Sequence, residues 1–508
     1  MKKTLLSALL ILALLPFLAA APAVAADALN KDAPLVMWLP GNGNVSGYEE
    51  GASENSNQFI DAIREHTGYK NLTVSVMPAT ESANAMNLLL ASGEYPDAIY
   101  VNGNREFFLR YLAEGLWAPV DETVAQYGPA IGTLVTPEAW ATVLGDDGRH
   151  YGIPNPMHTS YNGHLLGSGI MIRKDWVDAY GLQLATDPES FKAMLQAVKA
   201  ADPTGDGSLI PYSIVGTEPT VLMAAFGMWR PYAPVDGELQ NTRRLYLKDY
   251  LAYMNGLYTE GLLDPEFLYQ TGANRTEKYI GGKVFAMEEG VWAKTIRQTW
   301  ASTGYAGENA FLPAFQNIDG TVGTAQAFAV ANCYMLLQNS KHQAEIVDLI
   351  NTFLTDSELE SFVNFGVENV HYKVNADGAY EPLKPEYDKI IYKIYYRLWF
   401  KPDVWWHNAV LGDFDPEIKL WSDARPDGDT NVNIFSYMPT SEASLNYKSA
   451  CDDIYKEYIA KIIVGDYAID AVDEMFKSME ASGYLEIEAA DKAWYEATGA
   501  ALEASLAK

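Results

Sequence analysis

The side chains in this sequence best suited to chemistry are aromatic rings and short polar groups, and what they can do is hold a solute. Trp38, Asn42 and Asn44 follow one short apolar run, and Asn102, Asn104 and Arg105 follow another. Tyr161 and Asn162 follow a Pro/Gly-rich stretch, Trp229 and Arg230 stand in AAFGMWRPY, and Trp292 closes an EEGVW motif. A Trp or Tyr ring offers a flat apolar face with a polar tip, and amides or guanidinium groups beside it supply fixed donors and acceptors. Such a set matches a polyhydroxylated molecule, which has apolar C–H faces and a rim of hydroxyls. The chain has 12 Trp and 32 Tyr against 18 Phe, a bias toward hydrogen-bonding contact surfaces. Large proteins also use Tyr at any half-exposed site, so position is better evidence than composition. For each residue taken singly, a packing or surface role is the competing reading. Of Trp405 and Trp406, in PDVWWHNA, one suits the core and the other a contact surface.

Constellations that break bonds are poor. The sequence has no G-x-S-x-G, no H-E-x-x-H and no phosphate-binding P-loop. Its seven histidines are scattered singly, none at metal-ligand spacing to another. With 66 acidic residues, some carboxylate pair at glycosidase separation arises by chance. One stretch, DPTGDGS at 202–208, resembles the opening of a calcium loop, with oxygens at Asp202, Thr204 and Asp206 and a turn at Gly207. Calcium needs about six or more oxygens, and the chain continues Ser208-Leu209-Ile210-Pro211 without another carboxylate. A helix-terminating turn is therefore the preferred reading, calcium the alternative, and no other cofactor is expected.

The elements that must carry these residues alternate. PLVMWL (34–39) reads as a buried strand and Ser56 to His66 as a helix, with Phe59, Ile60 and Ile63 at helical spacing and Gly68 as its stop. LTVSVMP (72–78) is a strand, Ser82 to Ser92 a helix ending at Gly93, and DAIYVN (97–102) a strand. This order is the signature of an α/β fold with parallel strands. Ligands of open α/β sheets sit outside the carboxyl ends of the strands, which is why the residues after these runs are the ones nominated. Further on, 168–181 reads as strand then helix, and 189–202 and 340–355 as amphipathic helices. The tail from Asp466 to Lys508 reads as mostly helical, with Gly483 as the break. No internal repeat is present.

Lys+Arg number 36 and Asp+Glu 66, a formal net charge of −30. Such a surface repels nucleic acid and anionic lipid, and disfavours a polyanionic ligand unless a local Arg cluster overrides it. The first 26 residues read as a secretory signal: Lys2 and Lys3, an apolar core from Leu5 to Leu18, then small residues with an A-x-A site at Ala23-Val24-Ala25. Export permits a disulfide between Cys333 and Cys451, the two cysteines of the chain. Cys333 lies in an apolar run, AFAVANCYMLL, where a buried free thiol is the preferred reading.

Five stretches, taken together, resemble extracellular solute-binding protein family 1, in particular its large oligosaccharide-type subgroup. They are NSNQFIDAIREHTGY (55–69), LLASGEYPDAIYVN (89–102), YGIP with GIMIRKDWVDAYGL (151–182), GGKVFAMEEGVW (281–292) and FVNFGVENVHYKVNADGAY (362–380). Their order and spacing carry the likeness over nearly the whole mature chain. The resemblance implies a two-lobed, type II periplasmic-binding-protein-like α/β fold, its lobes joined by crossing hinge strands near 151–168, 284–292 and 324–332. It implies a first lobe of 27–155 plus 290–328 and a second of 160–285 plus 330–508, the latter with a helical extension. It further implies a monomeric, non-enzymatic receptor that captures a saccharide between the lobes and presents it to the membrane subunits of an ABC-type importer. The rivals are a peptide or other-solute receptor, a secreted glycoside hydrolase or lyase, and a chemosensory or adhesive role. Many members of the family carry a lipid-modified N-terminal cysteine; no cysteine precedes Cys333 here, so a free exported or surface-held protein is expected. Intact mass of the exported chain should correspond to a start at Ala26 or Asp27 without lipid, and a retained Met1 contradicts the processing.

Overall fold

A computed structural model of the chain describes residues 28–506 apart from 40, 42–46, 79–81, 102–104, 136, 146, 155–159, 162–163, 166–167, 291–295, 297–298, 301–302, 327–332, 375–379, 397–422 and 425–430. Short apolar runs build two sheets, each with its own core. The first sheet uses β1 (Val36–Leu39), β2 (Thr73–Val76), β3 (Ala98–Val101) and β4 (Ile153–Pro154). The second uses β5 (Ser168–Arg173), β6 (Ile210–Ser213), β7 (Val284–Gly290) and β8 (Asn309–Phe311). A last strand, β9 (Cys333–Leu336), returns to the first sheet, whose order is β2-β1-β3-β9-β4. The order of the second sheet is β8-β5-β7-β6. β1, β2 and β3 are parallel and β9 runs against β3 and β4. In the second sheet β7 is parallel to β6 and antiparallel to β5.

The helices that cover these sheets form where the sequence signals them. In helix Gln58–Thr67 the Asn57 side chain accepts from the N–H groups of Phe59 and Ile60, and Gly68 ends the helix at φ 78. Helix Pro188–Ala201 opens on a reciprocal Asp187–Ser190 capping box and buries Phe191, Met194, Leu195 and Val198. A cap of this kind satisfies backbone donors that the helix leaves open, and losing one costs about 1 kcal/mol. The C-terminal helices Glu442–Val464, Ala471–Ala481 and Tyr484–Trp494 pack on the second lobe through residues that include Cys451, Tyr455, Ile459, Ile462 and Met475. Gly483 breaks the last two at φ 96, and the Tyr447 ring lies where a Cβ would stand, 2.3 Å away. Among the described residues no helix is long and apolar enough to cross a membrane.

Three expectations need correction. β9 belongs to the first sheet, and helices Gln343–Thr355 and Ser357–Phe365 pack in the same core as Ile60 and Val124, so 333–396 is not part of the second lobe. The segment 284–292 is not a crossing: β7 is a central, almost wholly buried strand with a partner on each side, and β8 follows it in the same sheet. Nor does 290–328 join the first lobe. The fully buried guanidinium of Arg173 lies 4.3 Å from the Trp176 ring, 4.9 Å from Trp300 and 5.0 Å from Tyr305, which ties the chain around 300–305 to the second lobe. The first lobe is thus 28–154 with 333–396 and the second 168–326 with 431–506, so the chain changes lobe between 154 and 168, between 326 and 333 and between 396 and 431. Cys333 and Cys451 are buried in the cores of different lobes, which rules out a disulfide between them.

A polar cluster joins the C-terminal helices to the hairpin Tyr232–Val235/Glu238–Asn241. The Tyr232 hydroxyl donates to Asp491 Oδ2 (2.9 Å), and Asn241 and Arg244 donate to Glu488. Burial pushes the Asp491 carboxyl up to about 6, with the Glu488 charge adding to the effect and the Tyr232 hydroxyl opposing it. An unfolded Asp titrates near 3.9, so the folded chain holds a proton that the unfolded chain releases, and stability falls as pH rises from about 4 to 6. Asp491→Asn keeps an acceptor for Tyr232 and removes the charge. Melts between pH 4 and 8 should show the variant matching the parent near pH 4 and exceeding it by about 1–2 kcal/mol above pH 6; a gap independent of pH contradicts this account.

Candidate functional site

Parallel strands point their carboxyl ends the same way, and in open α/β sheets that is where ligands bind. In the second lobe β6 ends at Ser213 and β7 at Gly290, side by side, with Ser168 at the start of β5 paired to Gly290. A cavity of about 210 Å³ opens at this end, lined among others by Ser168, Glu218, Thr220, Arg275, Glu288 and Glu289. Ser168, the first residue of β5, is among the residues that line it. A wider groove of about 700 Å³ lies near the opposite end of β7, lined by residues such as Tyr269, Lys278 and Lys283. It is larger but sits at the amino end of the strands, and the smaller cavity is the better candidate.

Each polar wall of the cavity is held from behind. Glu288, 9% exposed, accepts from Thr220 N–H through Oε1 (2.9 Å) and from Val221 N–H through Oε2 (3.1 Å). This fixes the turn after β6 against β7. Burial raises the Glu288 carboxyl above its usual range, against the pull of the two backbone donors. Arg275 Nη2 donates to Glu289 Oε2 (2.7 Å), and Glu289 Oε1 accepts from Gly290 N–H (2.9 Å). Both side chains of this pair are 13% exposed. Arg275 Nε is buried with no hydrogen-bond partner among the described residues. Glu218 Oε1 accepts from Arg243 Nη2 (3.1 Å) and the Tyr455 hydroxyl (2.8 Å), and the Arg243 guanidinium lies 4.5 Å from the Tyr455 ring. The neighbouring phenols and the Glu218 carboxylate raise the Arg243 guanidinium further above its usual range, against the effect of desolvation. The arrangement offers several fixed acceptors, which can bind hydroxyls and orient them.

The residues nominated from sequence are distributed otherwise. Trp38 is 4% exposed and packs in the first-lobe core with Met86, Leu90, Ile99 and Phe107, which leaves no free ring face for a solute. The Trp229 indole donates to Asp319 (2.8 Å) and has the Arg230 guanidinium 4.5 Å from its ring, while Arg230 pairs with Glu503 (2.7 Å). Neither lines the cavity; together they tie the last helix and the Asp319 turn to the lobe. Arg105 begins the helix Arg105–Ala113, and Tyr161 lies in a two-residue ladder with His164–Leu165. Asn42, Asn44, Asn102, Asn104, Asn162, Trp292, Trp405 and Trp406 lie outside the described residues.

Glu218, Arg275, Glu288 and Glu289 were not nominated. The signal for the last two was present, since a pair of charges ending an apolar strand in EEGVW needs a polar environment. Glu218 and Arg275 come from segments far apart in sequence, and only folding brings them together. At 202–208, Asp202 closes helix Pro188–Ala201 at φ 43. Its carboxylate accepts from Thr204 Oγ1 (2.6 Å) and Gly207 N–H (3.0 Å), and Asp206 accepts from Ser208 N–H (2.9 Å). Hydrogen bonds from Ser208 and Thr204 hold the Asp206 carboxyl below its usual range. The candidate cation oxygens are thus engaged within their own turn.

The sequence profile described as "Bacterial extracellular solute-binding protein" matches residues 58–366. Lipoprotein LipO of Bacillus subtilis is 23% identical over 354 residues, 66% of this chain and 67% of that one. The fructooligosaccharide ABC transporter substrate-binding protein FusA of Streptococcus pneumoniae is 29% identical over 161 residues, 29% of this chain and 30% of its own. Among solved structures, an HMO-binding, ABC-transporter-associated solute-binding protein from Bifidobacterium longum infantis superposes with a TM-score of 0.73 at 16% identity, over 91% of this chain and 98% of that one. This likeness shows the two-lobed α/β fold. From the closed hydrogen bonding at 202–208, calcium in excess over a chelator should leave the melting temperature unchanged; a saturable rise with calcium would assign a cation to the loop.

Proposed function

We propose a carbohydrate-capture role for this chain, which belongs to the family of bacterial extracellular solute-binding proteins. The chain is a binding protein and not an enzyme. Its solute is an oligosaccharide, held between the lobes and delivered to the membrane subunits of an ABC-type importer. The observation that carries this reading is the polar cavity at the carboxyl ends of β6 and β7, walled by hydroxyl-binding groups. The relatives support it: FusA is named for fructooligosaccharides, and the Bifidobacterium protein for HMO. The receptor works as a single copy after export.

Capture follows from the chain path. Three passages between the lobes permit an open and a closed arrangement, and a solute that touches both lobes gains contacts only in the closed one. That difference in affinity is what shifts the population. Moving the ratio from about 1:99 to 99:1 takes ~5.5 kcal/mol of preference for the closed state. A few hydrogen bonds at about 1 kcal/mol each, with one or two stacked rings, are of that size.

The test is a thermal-shift screen against neutral oligosaccharides, followed by solution scattering with the best hit. A ligand at about 100 times its dissociation constant adds ~2.7 kcal/mol to stability. The radius of gyration should fall on saturation, and the sugar should be recovered unchanged after long incubation. Catalytic conversion would restore the enzyme reading, and tight binding without compaction would place the ligand on one lobe only.

A further inference from the structure

We infer that Glu218 is the specificity-determining residue of this receptor: it accepts hydroxyls of a neutral sugar ring and excludes sugar acids from the second-lobe cavity. The inference rests on the carbohydrate reading above and adds the class of carbohydrate.

Glu218 stands in the turn between β6 and the helix Thr220–Ala225, and lines the cavity. Two donors from two other helices, Arg243 and Tyr455, converge on its Oε1 at 3.1 and 2.8 Å. They fix the carboxylate plane before any ligand arrives. Its second oxygen, Oε2, has no hydrogen-bond partner among the described residues. A carboxylate oriented in this way accepts strongly and cannot donate. Arg275 also lines the cavity, with its Nη2 donating to Glu289 and its Nε buried. A neutral sugar ring carries hydroxyls that can donate to Glu218 Oε2.

A uronate meets the reverse. The guanidinium lining the cavity, Arg275, is already paired with Glu289 at 2.7 Å. Glu288 is committed to two backbone N–H groups, and Glu218 adds a further negative charge. The lining has three carboxylates, Glu218, Glu288 and Glu289, and one guanidinium, Arg275; Arg243 pairs with Glu218 from outside the lining, so both guanidinium groups are already engaged by carboxylates. A ligand carboxylate would therefore be desolvated among like charges, and the net charge of −30 opposes its approach as well.

Glu218→Gln separates this role from a structural one. The amide keeps an oxygen for Arg243 and Tyr455 to donate to, and turns the free acceptor into an N–H donor. The experiment measures dissociation constants of the exported chain for two panels of two to five sugar units, one of neutral gluco-, galacto-, manno- and fructo-oligosaccharides and one of oligogalacturonates and oligoalginates. The wild type should bind at least one neutral sugar and prefer it to every uronate. E218Q should keep its melting temperature, lose on the order of 10- to 100-fold in neutral-sugar affinity, and narrow the gap to the uronates. If E218Q melts early, Glu218→Asp keeps the charge and should keep the preference. A wild type that prefers a uronate overturns the inference and leaves the receptor reading intact. So does wild-type affinity in folded E218Q, or a lost preference in folded E218D. Binding of neither panel by the wild type overturns the carbohydrate reading and this inference with it.

Discussion

Each lobe of this molecule depends on chain from both sides of the other. The first sheet is incomplete without β9, which arrives after the whole second sheet has been made and pairs with β3 from Cys333↔Val101 to Leu336↔Ala98. Its four residues are all buried, so leaving them unpaired would strand backbone donors and acceptors in an apolar core. That requirement forces the chain back across the interface, and the later return of 431–506 to the second lobe forces it across again. Strand pairing alone thus makes the chain cross between the two cores more than once. No single strand need bend for the lobes to move, because each core is closed by contacts of its own.

The second lobe combines rigid support with unmet polar capacity. Arg173 shows the supporting part. It is buried, donates to Asp175 at 2.9 and 2.5 Å and to the Tyr305 hydroxyl, and stands among Trp176, Trp300 and Tyr305. A charge in a core is costly unless it is paired, and here the pairing fixes the chain that follows β7. Glu288 does the same for the turn that carries Glu218 and Thr220. The groups facing the cavity are thus placed by buried charges behind them. Preorganised acceptors lose little entropy when a ligand arrives, which leaves more of the contact energy for binding.

The corrections to the chain path share one cause. A Gly-bounded apolar run such as GGKVFAMEEGVW reads equally as a central strand or as a segment passing between lobes, because both are short, apolar and flanked by flexible residues. Partner strands decide between them: β7 has β5 on one side and β6 on the other. Trp38 illustrates the same limit for a single residue. It ends an apolar run where ligand-binding residues are often found, yet strand side chains alternate between faces, and its ring falls on the one covered by Met86, Leu90 and Phe107.

The amino-acid sequence determined what local rules govern. Alternating apolar runs gave the α/β class, Asn57, Gly68, Asp187 and Gly483 set helix ends where backbone groups need a cap or a positive φ, and the excess of acid set the sign of the surface. Five stretches in order were enough to identify the family. Tertiary structure alone decided the lobe to which 333–396 belongs, the separation of Cys333 from Cys451, and the meeting of Glu218, Arg275, Glu288 and Glu289 around one cavity. These depend on pairing and packing between residues 237 positions apart, as for Glu218 with Tyr455, or 339 apart, as for Asn57 with Tyr396. Periodicity and capping act over a few residues and carry no information at that range, whereas hydrogen bonds and charge pairs in a low-dielectric interior act between whatever the fold brings together.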